Sequence, residues 1–93
     1  MYAAVMGPPE ILRELSALAD RLGVDLRFEA LGGTTEGRGG LCRIHGHAVI
    51  VVERELPILE KIDVLTGALS RFDLEKVYMP PELRARLERL ERS

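Results

Sequence analysis

The sequence predicts an α+β domain in the order α-β-β-β-α-α, a small three-stranded, mostly antiparallel sheet packed by helices. Three observations predict it. Apolar residues recur at helical spacing behind Pro8-Pro9, Pro57 and Pro80-Pro81. Between the first two of these segments the period changes to two, over Val24–Ala30. Ala48-Val49-Ile50-Val51-Val52 is then continuously apolar, as a strand in the middle of a sheet requires.

The first helix starts at Pro8-Pro9, where a missing amide costs nothing. Ile11, Leu15, Leu18 and Leu22 form its stripe, widened by Leu12 and Ala19, and Gly23 supplies a left-handed cap. In the first strand Val24, Leu26, Phe28 and Ala30 should face the core, with Asp25, Arg27 and Glu29 in water. Residues 32–40 form a loop, since their glycines favour neither helix nor strand. A second strand starts near Gly40 or Leu41 and runs to about Ile44, and His45-Gly46 makes a hairpin tip in which a primed turn would use a positive φ at Gly46. The first strand either pairs with the third, using the loop to cross, or the three form a meander.

Pro57 opens the second helix, with Ile58, Ile62, Leu65, Leu69 and Phe72 as its stripe. Gly67 weakens that helix by about 1 kcal/mol against Ala and predicts a close approach by a neighbouring element. Residues 73–79 are short and mixed. Pro80-Pro81 starts the last helix, with Leu83, Leu87 and Leu90 on one side. Glu82 and Arg86 have the spacing of a favourable helical ion pair.

A chain of 93 residues forms one domain, residues 1–93, with enough core to fold without a disulfide or a metal. Its single cysteine fits a reducing compartment, so a cytoplasmic location is expected. The apolar start, residues 1–6, is too short for a membrane span and lacks a basic leader, and it is expected to be a docking arm or a short edge strand. Net charge is −2 and tryptophan is absent, which argues against a nucleic-acid partner.

Residues 32–47 gather what chemistry the chain has: six glycines, Arg38, Cys42, Arg43, His45 and His47. A phosphate loop fits poorly. Arg38 stands where its lysine belongs, the magnesium-binding hydroxyl is missing, and the segment leads into a strand. An amide nest holding an anion with Arg38 is a weaker alternative. Cys42, His45 and His47 are one ligand short of a closed zinc site, and Cys42 and His45 have opposite strand parity. On that reading Cys42 is a small buried side chain beside Ile44, and the histidines are solvated. Glu53, Glu55 and Glu60 could supply a carboxylate pair but are better explained as complements to a helix N-terminus. No His-Glu-x-x-His occurs and no catalytic triad or dyad completes, so no catalytic residue, metal or cofactor is assigned.

Gly39-Gly40-Leu41-Cys42-Arg43-Ile44, the Val49–Val52 strand, Phe72-Asp73-Leu74-Glu75 and Val77-Tyr78-Met79-Pro80-Pro81 resemble a group of short bacterial proteins. These share a Gly-Gly-x-Cys strand and a Tyr-x-Pro-Pro segment before the last helix. The resemblance covers residues 22–88 and implies a bacterial protein and a shared fold, with no activity attached.

The functional expectation is a protein-interaction or self-assembly module. A strand apolar on both faces, an apolar arm and a small core favour a homo-oligomer, with Tyr2, Val5, Val49 and Val51 at the interface. The alternative is a small-ligand, anion or metal site built from Arg38, Cys42, Arg43, His45 and His47.

Overall fold

The computed structural model describes residues 6–32 and 37–92, with side chains described as far as Arg89. Its elements are α1 (Pro8–Arg21), β1 (Asp25–Glu29), β2 (Gly39–Ile44), β3 (His47–Glu53), α2 (Ile58–Leu69) and α3 (Pro81–Arg92). The order is the expected one. The sheet is mixed: β3 is central, antiparallel to β2 and parallel to β1, in the order β1-β3-β2. Of the two arrangements the sequence left open, the crossing one is present.

Local signals explain the helix ends. The Glu10 carboxylate accepts from the Gly7 N–H at 3.0 Å, which satisfies one orphan donor at the start of α1. At the other end Gly23 has φ 74°. Its N–H donates to the Asp20 carbonyl and that of Val24 to the Ala19 carbonyl, a Schellman closure whose apolar clasp is buried Ala19 against buried Val24. In α2, buried Thr66 donates its hydroxyl to the Ile62 carbonyl at 2.6 Å, so its polar atom is satisfied within the helix. In α3, Glu82 accepts from the Met6 N–H at 3.3 Å and ties the chain before α1 to the third helix.

One core joins the layers. Ile50 and Val52 of β3 pack with Ile11, Leu15 and Leu18 of α1, Ile62, Leu65 and Leu69 of α2, and Leu83 and Leu87 of α3. Leu26 and Leu41, the ladder partners of Ile50 on either side, pack against the same cluster. Helices α1 and α2 lie on the sheet and α3 packs on those two helices. The helices therefore cover the face that carries Ile50, while Val49 and Val51 point to the other face.

Two expectations change. Leu26 and Phe28 face the helices as the alternation requires, but burial falls along β1: Val24 is buried, Leu26 half-buried, Phe28 38% exposed and Ala30 exposed. The strand is an edge, and what covers Phe28 is the Lys61 ammonium, 5.8 Å from the ring centre. Gly67 is not a close-approach site. Among the described residues no atom lies within 4 Å of the position a Cβ would take, so its missing side chain opens space instead of closing it.

Gly39 is the glycine the sheet cannot do without. Its φ is 113°, and a Cβ there would collide with the backbone carbonyl of Val51 in the neighbouring strand. Gly39→Ala combines a forbidden backbone region with a main-chain clash and should cost about 3 kcal/mol or more. Urea unfolding followed by circular dichroism measures that loss; a variant as stable as the parent would show that β2 does not pair in this register.

Candidate functional site: the uncovered sheet face and the β2 edge

The hairpin is built as the sequence suggested, with one addition. Ile44 pairs with His47 across a two-residue turn in which both His45 (φ 53°) and Gly46 (φ 79°) are left-handed. Two positive φ values make a primed turn whose twist matches the strands. His45 is the only non-glycine described with a positive φ.

The register sorts the candidate residues, and it separates them. Gly40, Cys42 and Ile44 lie opposite Val51, Val49 and His47 on the uncovered face. Cys42 is exposed, not buried beside Ile44, because among the described residues no helix covers that side. Arg43 belongs to the helix side, and its guanidinium donates to the Gly46 carbonyl at 3.2 Å. His45 sits at the turn. His47, with Asp20 and Asp25, lines a shallow concavity where β1 and β3 begin. Arg38 lies at the opposite end of the sheet, 3.7 Å from Glu60 and 3.9 Å from Asp63 across exposed, weak ion pairs. Among the described residues no three His, Cys, Asp or Glu side chains stand together as metal ligands. Arg38 and His47 line separate concavities, so Arg38, Cys42, Arg43, His45 and His47 do not form one site among the described residues.

The interface candidates also divide. Tyr2 and Val5 lie outside the described residues. Val49 is 2% exposed, so little of it is left to offer a partner, while Val51 is half-buried and Ile44 is 39% exposed. The apolar part of the uncovered face is Val51, Cys42 and Ile44, and its β1 side is charged, with Arg27 and Asp25 paired at 2.9 Å.

Glu53 has a structural task that its sequence position does not advertise. At the end of β3 one carboxylate oxygen accepts from the Leu31 N–H at 2.8 Å and the other from the Glu55 N–H at 2.7 Å. Its own N–H donates to the Arg38 carbonyl at 2.9 Å. Leu31 directly precedes the glycine-rich segment and Arg38 lies just before β2, so Glu53 holds both sides of the crossing. The backbone donors, first Leu31 and then Glu55, hold its carboxyl below the usual glutamate range, with help from Arg54 and Lys61 against some desolvation. A group kept anionic this way is a poor general acid and a good clamp.

A groove of about 600 Å³ runs beside β2, between Gly37–Leu41 and the Asp63, Val64, Gly67 and Ala68 side of α2, with Arg71 just beyond the end of that helix. Arg71 gave no sign in the sequence of lining a surface with β2, whereas Gly67, a close-approach position by sequence, borders this open space instead. Among the described residues no helix is long and apolar enough to cross a membrane. Comparison with family models, with curated proteins and with solved structures returns no match.

Two substitutions test this geometry. His45→Asn relieves left-handed strain and should stabilise the hairpin by about 1 kcal/mol, seen as a higher urea midpoint at unchanged slope; no gain would mean that the turn is not primed. Glu53→Gln should destabilise at neutral pH. Because the folded carboxyl titrates lower than the unfolded one, its contribution is present above the ordinary glutamate range and lost as pH falls through the folded value. Parent and variant stability curves should converge in acid, and a gap independent of pH would contradict the clamp.

Proposed function

We propose that this chain is a binding and assembly module whose working surface is the uncovered face of the sheet, and whose partner there is a second copy. The observation that carries the reading is the one-sided cover: Ile44, Cys42 and Val51 share the face opposite the helical core. Grouped apolar side chains on an open sheet face are what two copies can bury against each other. Charged Asp25, Arg27 and Glu29 border that patch and keep it small.

Its size sets the strength. The whole face, three strands about 4.8 Å apart and about six residues long, presents on the order of 300 Å² per copy, and the apolar patch is only part of it. A stable interface takes about 800 Å² per partner, so the pairing is weak and reversible. A module of this kind assembles only where local concentration is high. The spread of Arg38, Cys42, Arg43, His45 and His47 over separate parts of the surface supports assembly over a single small-ligand or metal pocket.

Sedimentation equilibrium from micromolar to millimolar protein should show a monomer–dimer equilibrium. Ile44→Glu places a charge in the patch and should leave monomer throughout, with unchanged helix content. A parent that stays monomeric at every concentration, or a variant that dimerises like the parent, would sink the proposal.

A further inference from the structure

The groove beside β2 lies off the uncovered face and has a different chemistry. It combines an unpaired strand edge with space on the facing helix. In a two-residue primed hairpin the residues flanking the turn exchange both hydrogen bonds, and the pattern alternates from there. Ile44, Cys42 and Gly40 therefore bond to β3, in phase with the observed Glu53-to-Arg38 bond. Gly39, Leu41 and Arg43 turn their N–H and C=O groups outward, and no strand lies beside them among the described residues. Edges of this kind are usually blunted by bulges, prolines or charges pointing inward; the inward charge on β2, Arg43, is turned to the hairpin tip, where it donates to the Gly46 carbonyl. Here the edge opens with two glycines, and α2 faces it with Gly67, whose Cβ position is vacant. A glycine in a helix interior costs about 1 kcal/mol, and no close packing among the described residues accounts for it.

The groove's charge narrows the occupant. Arg38 and Arg71 line it together with Asp63; the pairs of Arg38 with Glu60 and Asp63 are exposed and weak, so an incoming carboxylate can replace them, and Arg43 rises from the same edge. Arg71 is exposed and has no acidic partner among the described residues. A second copy adding its own β2 would bring Arg38 and Arg43 of both copies together, which is repulsive. A strand that carries carboxylates is complementary.

We infer that the β2–α2 groove binds an extended acidic segment of a partner polypeptide, added as a fourth strand on β2. Main-chain groups of Gly39, Leu41 and Arg43 hold its backbone. Alternate side chains enter the groove, a small apolar one over Gly67 and carboxylates on either side of it, toward Arg38 and Arg71. Backbone pairing supplies affinity and the alternate positions supply selectivity, as in other strand-addition complexes. This site shares no side chain with the dimer patch and does not rest on that reading.

The test uses the whole chain and a fluorescein-labelled peptide with the core Glu-Thr-Val-Thr-Glu, followed by anisotropy. Saturable micromolar binding is expected. It should weaken about tenfold or more when Lys replaces both Glu residues, when alternate peptide amides are N-methylated, and in Arg71→Glu. Gly67→Val should abolish it by filling the groove; Arg71→Glu, at an exposed position, gives the same answer if the valine variant folds poorly. Ile44→Glu should bind like the parent, which keeps this result separate from the assembly test. No saturable binding below millimolar peptide overturns the inference. So does binding indifferent to N-methylation, which would be charge attraction alone, and so does release of monomer from dimer by the peptide, which would make the occupant a second copy.

Discussion

The structure depends on one constraint: β3 lies between two strands that are not both its neighbours in sequence. To place β1 and β2 on opposite sides of β3, the chain must cross the end of β3 within a few residues. That crossing is the glycine-rich segment, and Glu53 fastens it by accepting from Leu31 and donating to Arg38. Gly39 then enters β2 at an angle only glycine tolerates, against the Val51 carbonyl. Register, and with it the face each β2 side chain occupies, follows from those contacts, because a one-residue slip would exchange the two faces.

Once register is set, the rest of the surface follows. Ile50 and Val52 turn toward the helices and complete a core with α1, α2 and α3. Val51, Cys42 and Ile44 turn the other way, where no helix lies among the described residues. The same arrangement leaves β2 as an edge and sets α2 alongside it, so one topological choice creates both the uncovered face and the groove. The proposed assembly and strand capture are physically distinct on these surfaces: the face would work through side-chain burial, and the edge through main-chain hydrogen bonds.

Much of this fold was legible in the sequence because its signals are local. Pro8-Pro9 and Gly23 bracket α1, the continuous apolar run marks β3 as central, and His45-Gly46 marks the hairpin tip. What was not legible depends on distant pairings. The parallel partnership of β1 and β3 leaves no mark in either strand's own pattern. Phe28 alternates correctly yet stays partly exposed, since alternation gives facing and not the extent of the cover. Its place beside Ile44 suggests that Cys42 is buried, and it is exposed because among the described residues no layer lies above the second face. Glu53 and Leu31 meet across 22 positions, a separation at which a single sequence carries no pairing signal. The cluster of Arg38, Cys42, Arg43, His45 and His47 is close in sequence and dispersed in space, because strand alternation and the hairpin send neighbours apart.

If this chain meets its own copy at the uncovered face, as proposed, methyl-resolved NMR spectra over a dilution series should show concentration-dependent shifts at Ile44 and Val51, with Leu15, Leu65 and Leu83 of the helical core unmoved. Shifts confined to helix surfaces such as Leu59, or none up to millimolar protein, would contradict the proposal.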